Sequence, residues 1–436
     1  MPRPLRVRFR SLSVPFAFLL FLAAVPAFPS GFQVNTQGAR AMGMGLAFTA
    51  VANDPSAIFY NPAGLGWQKH FEVEVGGSAL TKTQGDFTGE NPYPGVSNVE
   101  KEHKTTFILP TVYAVIPLTS EINFGVGVFS QYGLGFRWDN AETFSGRFIA
   151  QNAVIQSADL NPVLSFQATP AISVAVGADY RVSKVQLERN QAAINPFTNS
   201  VVDVAHIKLN SDLTDNHGWG WNAGILVRPI PQLSFGAAYR SKIKVNYEGT
   251  ATFQQRLTGN PQFDGIVASQ LPQGSHPVTT SIDFPGSLNL GAALTLPGDF
   301  TVSGEADWTE WSRFKSLDIL FPDLVGRDLH RSTVWNDSWA YRVGLEKKFS
   351  SFALRAGYYR DKTPQPVVNA GPILADNDRD AFALGFGYGN DRWGVDISDL
   401  YIKFKKLDTA GQSQDNFFGT YKEAANVFAF SLRLSF

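Results

Sequence analysis

The run Ile172-Ser173-Val174-Ala175-Val176-Gly177-Ala178-Asp179-Tyr180-Arg181-Val182-Ser183 decides the fold. Ile172, Val174, Val176, Ala178, Tyr180 and Val182 share one face; Ser173, Ala175, Gly177, Asp179, Arg181 and Ser183 share the other. A repeat of two with one apolar and one polar side is that of a half-buried strand. The pattern recurs downstream. Leu233, Phe235, Ala237 and Tyr239 oppose Ser234, Gly236, Ala238 and Arg240, and Phe300, Val302, Ala306 and Trp308 oppose Thr301, Ser303, Glu305 and Asp307. A soluble sandwich alternates in the same way, so the connections must discriminate.

Strand candidates from Phe71 onward are joined by connections that strictly alternate in length. Pro117–Ser120, Thr169-Pro170, Pro229–Gln232, Pro297-Gly298, Phe349–Ser351 and Asn390-Asp391 read as tight turns. Between them lie the long segments 84–104, 138–154, 190–215, 254–277, 318–335, 362–379 and 407–425. Short turns at one end and long loops at the other are the arrangement of an outer-membrane barrel. The count makes this an all-β, 14-stranded antiparallel transmembrane β-barrel. Its last strand places Phe428, Phe430, Leu432, Leu434 and Phe436 on one face. A soluble edge strand would avoid exposing such a row, whereas a terminal Phe resembles the assembly signal of bacterial outer-membrane barrels.

Composition agrees. The chain of 436 residues has no cysteine, which excludes a disulfide frame, a thiolate metal site and a Cys nucleophile. Its formal net charge of −1 argues against a general nucleic-acid binder. Residues 1–30 read as a signal peptide. Arg3, Arg6, Arg8 and Arg10 precede the apolar run Val14–Val25, which is shorter than the roughly 20 residues a membrane helix needs, and Val25-Pro26-Ala27 offers small residues for cleavage. The expected location is the bacterial cell outer membrane.

Residues 31–67 depart from the strand pattern and read as an N-terminal hatch inside the lumen, with 68–436 forming the barrel. Two helix-start signals, Asp54-Pro55 and Asn61-Pro62, lead into Asn61-Pro62-Ala63-Gly64. An Arg or Lys facing lipid at mid-membrane costs roughly 2–4 kcal/mol. Asp179, Arg181, Arg240, Lys242, Glu305, Asp307, Arg342, Glu346, Arg355 and Asp396 are therefore predicted to face the lumen, with Trp308, Trp339, Tyr388 and Trp393 outside in aromatic belts. Carried beyond Ser183, the lumen face reads Val185, Leu187 and Arg189, while Lys184, Gln186 and Glu188 turn outward. An apolar pocket with one cation at its rim complements a long-chain carboxylate; pairing of Arg189 with a loop acid is the alternative. Ile243, Val245 and Tyr247 alternate with Lys242, Lys244 and Asn246 in a related way.

The chain resembles the FadL/TodX (OmpP1) family of outer-membrane transporters for long-chain fatty acids and other hydrophobic compounds. The likeness rests on Gly31-Phe32-Gln33, Asn61-Pro62-Ala63, Gln131-Tyr132-Gly133-Leu134, Val185-Gln186-Leu187-Glu188-Arg189, Trp219-Gly220-Trp221-Asn222-Ala223-Gly224-Ile225-Leu226, Tyr239-Arg240-Ser241 and Ala340-Tyr341-Arg342. It implies a monomer whose cargo lands on extracellular loops, enters a pocket inside the barrel and leaves sideways into outer-membrane lipid. Passage is by passive facilitated diffusion with hatch movement. The lateral-opening kink would fall at Gln131, Tyr132, Gly133 and Leu134. Gly125, Gly127, Gly133 and Gly135 should make that strand easy to bend. Arg189 matches a basic pocket residue of the family. Asn336-Asp337-Ser338 stands where a second is expected, which leaves a neutral cargo such as an aromatic hydrocarbon open.

Other classes are weaker. A general diffusion porin with a polar channel would carry no plug of this size, and a TonB-driven receptor would be longer. No Ser-His-acid set or nucleophile motif marks an enzyme, and no cofactor is suggested. Asp376, Asp378 and Asp380 space acids as a Ca²⁺ loop does, but Arg379 intervenes and the rest of an EF-hand is missing, so a solvated acidic loop is expected.

Overall fold

The computed structural model describes residues 31–89, 99–212 and 215–436. The proposed signal peptide lies outside them. Fourteen strands close into a barrel. They are β1 (Glu72–Gly89), β2 (Thr106–Pro117), β3 (Ile122–Phe129, resuming at Gly133–Arg137), β4 (Asn152–Thr169), β5 (Ile172–Asn195), β6 (His217–Ile230), β7 (Leu233–Arg240, resuming at Ile243–Gln255), β8 (Ser275–Phe284, resuming at Ser287–Leu296), β9 (Phe300–Thr309), β10 (Ser338–Lys348), β11 (Phe352–Asp361), β12 (Arg379–Gly389), β13 (Trp393–Phe404) and β14 (Gly419–Ser435). Each pairs antiparallel with the next, and β14 closes on β1 from Ser435 against Glu72 to Gly419 against Gly89. All six tight turns fall where the sequence places them.

The long connections carry structure of their own. Segment 190–215 is largely a hairpin: the Ser200–Ser211 strand pairs with upper β5 and then with upper β7. It takes the place of β6, which begins only at His217. The 254–277 connection holds a helix, Pro261–Gln270, capped by Asn260, whose side-chain oxygen accepts from the amides of Gln262 and Phe263 at 3.1 Å.

The lumen face is charged and internally neutralised. Asp159 takes Arg181, Asp179 takes Arg240, Asp307 takes Arg342, and Arg355 bridges Glu346 and Asp396. The lipid face exposes Val176, Phe235, Leu384 and Phe430. Lys242 departs from the predicted facing. It is exposed on the outer wall and not in the lumen, because β7 is interrupted at Ser241-Lys242 opposite Pro285-Gly286 of β8. Pro285 has no amide to give to the ladder. Both strands then change phase together, so Arg240 and Ser287 face inward below the break and Ile243 and Phe284 face inward above it. Asp399 points outward, where its carboxylate accepts from Asn426 at 2.5 Å.

Candidate functional site

Residues 31–67 are almost wholly buried and bond to lumen-facing groups on every side. They contain the short helices α1 (Ala39–Gly43) and α2 (Ala57–Tyr60) and a 3-10 segment, Pro62–Trp67. The two helix-start signals differ: Asn61 caps the 3-10 segment, whereas the N-cap of α2 is Ser56, which makes no side-chain cap bond. Asp54 accepts from the amide and hydroxyl of Ser56 just before α2, and Asn61 accepts from the amide of Ala63 at 3.2 Å. The 3-10 segment runs through Gly64 and Gly66 to Trp67. The Asn61 amide also donates to the carbonyls of Thr49 (2.9 Å) and Ile225 (3.1 Å). This close approach explains a glycine of the Trp219–Leu226 motif: a Cβ on Gly224 would lie 2.2 Å from the Asn61 side-chain oxygen. Arg40 grips Glu346 with two hydrogen bonds of 2.8 and 2.9 Å, and the amide of Thr49 donates to Glu305 at 2.7 Å.

The first residues of this segment fill an aromatic box. The Phe32 ring sits 4.8 Å from Trp311, 5.4 Å from Phe314, 5.9 Å from Phe284 and 6.0 Å from Tyr132, mostly edge to face.

Strand β3 is interrupted between Phe129 and Gly133. Pairing of β2 with β3 ends at Val112–Val128, so above that level the two strands part. The chain turns inward at Ser130-Gln131, and its backbone bonds to the N-terminal segment instead. The amide of Val34 donates to the carbonyl of Gln131 (2.6 Å), and the amide of Gly133 to that of Phe32 (2.9 Å). Gln131 accepts from Arg181 at 2.8 Å, and the Tyr132 hydroxyl donates to the carbonyl of Pro285 at 2.9 Å. Gly125 and Gly127 lie below the kink in the paired part of β3. A Cβ there would come within 3.0 Å of Leu65 and Ile58, so these two glycines admit the N-terminal segment rather than the bend.

Val185 and Leu187 line a cavity of about 90 Å³ with Leu209, Tyr247, Ile282 and Ile319, and almost no polar group reaches it. Leu187 and Leu209 separate it from a wider cavity of about 370 Å³ toward the loops, lined by Arg189, Phe148, Phe321 and Arg327. Arg189 is half-buried. Its guanidinium donates to the carbonyl of Phe148 at 3.4 Å, and among the described residues it meets no carboxylate within 4.0 Å. The alternative pairing with a loop acid is therefore not made. Leu209, Ile282 and Ile319 escaped the sequence reading, whereas Tyr247 belongs to the alternation of Ile243, Val245 and Tyr247 noted there. Pro285-Gly286 in mid-strand was the available signal for the phase change that turns Tyr247 and Ile282 inward. Asn336 and Asp337 bond to loop backbone, at Pro364 and Ser312.

Asp376, Asp378 and Asp380 do not converge. Asp376 is buried against Arg379 and Thr363, Asp378 holds Lys362 and Lys405 at 3.1 Å, and Asp380 accepts from the Tyr358 hydroxyl at 2.5 Å. The solvated loop expected from sequence is a set of separate polar contacts, and among the described residues no cluster has metal-ligand geometry.

Fold and site define an outer-membrane transport barrel: a closed wall with an apolar outer face, a lumen filled by its own N-terminal segment, and an apolar cavity beneath a wider, partly polar one on the side of the loops. Residues 20–436 match the model of the family described as outer membrane protein transport protein (OMPP1/FadL/TodX), and the chain belongs to that family. It is 24% identical to a long-chain fatty acid transport protein of Escherichia coli O6:H1 over 90% of this chain and 91% of that one. It is 23% identical to outer membrane protein P1 of Haemophilus influenzae over 96% and 98%. Among solved structures, a Pseudomonas aeruginosa FadL homologue matches with a TM-score of 0.76 at 22% identity over 93% of this chain and 100% of that one. The P. putida toluene transporter TodX matches at 0.71 and 17% over 92% and 98%. The protein is a transporter of the outer membrane and not an enzyme.

Proposed function

We propose that this barrel takes up a long-chain amphiphile with an anionic head, a fatty acid in the simplest case, by passive diffusion. The observation that carries the reading is Arg189, a cation without a carboxylate partner at the rim of an apolar cavity. The head would rest at Arg189 in the outer cavity and the tail would pass Leu187 and Leu209 into the inner one. At about 90 Å³ the inner cavity is smaller than the roughly 150 Å³ that holds benzene, so it would enlarge on loading. Residues 31–67 act as the hatch. Below the cavity the lumen holds that segment and buried ion pairs, which an apolar chain would have to break, so the route turns sideways. The parted edges of β2 and β3 at Gln131–Leu134 supply a way into the outer leaflet. A closed wall with every strand paired along its lower half supports a barrel that works as a monomer. The porin alternative loses support from a lumen this full.

The test is binding of a fluorescent long-chain fatty acid to the purified barrel, wild type against Arg189→Ala, with a neutral hydrophobe of similar size as control. Weakening of the acid alone, by about 1–3 kcal/mol, is the expected result. Equal binding of the neutral compound, with no effect of the substitution on either, would assign the cavity to uncharged cargo.

A further inference from the structure

A second patterned surface lies on the outside of β11, β12 and β13 at the loop end. Arg360 is the register partner of Asp380, and Asp380 that of Lys403, so the three stand abreast on the outer wall. The next row outward is Lys362, Asp378 and Lys405, with both ammonium groups 3.1 Å from the same Asp378 oxygen. Lys406 follows. The Asn377 amide fixes this turn by donating to the carbonyls of Lys405 and Lys406, each at 3.1 Å. Cations outnumber acids here. Among the described residues Arg360, Lys403 and Lys406 meet no carboxylate within 4.0 Å, and all three are exposed. One step toward the membrane, Tyr358, Phe382 and Tyr401 form an aromatic row in the same register, with the Tyr358 and Phe382 rings 5.3 Å apart. Below them Leu384 is 69% exposed. Elsewhere on the same rim cations and acids balance: on β7 and β8, Lys242 and Lys244 stand among Glu248 and Asp283.

Two rows that each set one acid between two cations, with Lys406 beyond them, stand over aromatic rings and an aliphatic wall, and this net positive edge complements an amphiphile with phosphates on its head. Aromatic side chains favour the membrane interface, basic groups beside it gather anionic headgroups, and an arginine fork suits phosphate oxygens. We propose that the β11–β13 wall is a binding site for the phosphorylated glycolipid of the outer leaflet. The phosphates of its glucosamine head sit between Arg360, Lys403 and Lys406, and its acyl chains lie along Phe382 and Leu384. This site is on the outside of the barrel, separate from the cargo path.

Native mass spectrometry of the full barrel in detergent, with lipid A bearing both phosphates as the probe, tests it. The triple variant R360Q/K403Q/K406Q should retain about tenfold less lipid A than wild type. The variant K242Q/K244Q should retain as much as wild type, and R360K/K403R/K406R should keep binding. Lipid A stripped of its phosphates should bind wild type weakly, and wild-type binding should fall as salt is raised, a readout that needs no variant to fold. Equal retention by the triple variant, equal binding of dephosphorylated lipid, or indifference to salt would each overturn the site. Complete displacement of lipid A by millimolar inorganic phosphate would make it a phosphate site and overturn the lipid assignment.

Discussion

The amide of Gly31 donates to a carboxylate oxygen of Asp376 at 3.2 Å, joining the start of the N-terminal segment to the loop between β11 and β12. Gly31 has a φ of +62°, and a Cβ there would lie 2.6 Å from the Trp335 ring and 2.7 Å from Trp311. Gly31→Ala is therefore expected to lift Phe32 out of its aromatic box at a cost of about 1–3 kcal/mol. Hydrogen exchange checks this. The amides of residues 32–35 should exchange at least about tenfold faster, while those of the barrel strands stay protected. Unchanged exchange at residues 32–35 would show that the box tolerates a methyl group.

Much of the barrel is readable in sequence because lipid and lumen impose opposite demands on alternate residues. Ser173 through Ser183 keep that rhythm without a break, and it carries forward correctly to Val185, Leu187 and Arg189. The rhythm fails as a guide where the backbone itself turns over. Ser241-Lys242 and Pro285-Gly286 reverse the facing of two neighbouring strands at one level, and only Pro285 announces it. The inner cavity was half legible for a related reason. Val185 and Leu187 come from a regular strand, whereas Leu209 and Ile319 come from loop hairpins whose folding over the lumen leaves no periodic trace. Asp399 shows a further limit: local pairing with Asn426 lets a carboxylate stand on the lipid face, and pairing across strands is invisible to a single-strand pattern.

Asn61 makes three hydrogen bonds, two that hold the N-terminal segment to itself at Thr49 and Ala63 and one that anchors it to the barrel at Ile225. Asn61→Ala leaves two carbonyls and an amide in a buried site without their partner, a loss of about 2–4 kcal/mol shared between the fold of the segment and its anchoring. Gly224→Ala should act alike from the other side, since its methyl group would occupy the place of the Asn61 oxygen. Both variants should keep the folded barrel's fast migration on unheated gels, yet become open to protease within residues 31–67. Protection equal to wild type would mean that other contacts suffice.

Glu346 is 1% exposed and receives Arg40 from the N-terminal segment and Arg355 from β11, at 2.8 and 2.7 Å. Removing it leaves two buried cations with less counter-charge. Glu346→Ala should cost about 3–5 kcal/mol, read as a lower urea midpoint. Charge rather than shape would be the cause if Glu346→Gln, which can still accept hydrogen bonds, lost nearly as much. Stability within error of wild type would mean that Asp54 and Asp396 replace it.

Asp378, in the loop outside the membrane, gives a pH dependence. Burial works to raise its carboxyl, but hydrogen bonds from Lys405, the Thr363 amide and Lys362 outweigh it and hold the group below its ordinary value. A depressed folded pKa contributes stability that is present above the unfolded value, about 3.9, and is lost as pH falls through the folded one. The stability gap between wild type and Asp378→Asn should thus be constant above about pH 5 and shrink below about pH 4. Thermal melts of both proteins across that range measure it. A gap that does not narrow in acid would show that the carboxylate's charge is not what stabilises the loop.

Leu187 and Leu209 are shared by the two cavities, so the size of Leu187 governs passage between them together with that of Leu209. Leu187→Trp adds bulk that the inner cavity of about 90 Å³ can absorb, so the barrel should fold with a stability change of no more than about 1–3 kcal/mol. The added ring would occupy the space proposed for the tail. Binding of a fluorescent long-chain acid should fall at least about tenfold, a loss of about 1.4 kcal/mol, while a short-chain acid that reaches only Arg189 should bind as before. This pair of probes separates the two cavities. If Leu187→Trp weakened both acids equally, the substitution would be acting on Arg189. If it weakened neither, the tail would follow another path and the inner cavity would be a packing void of the upper barrel.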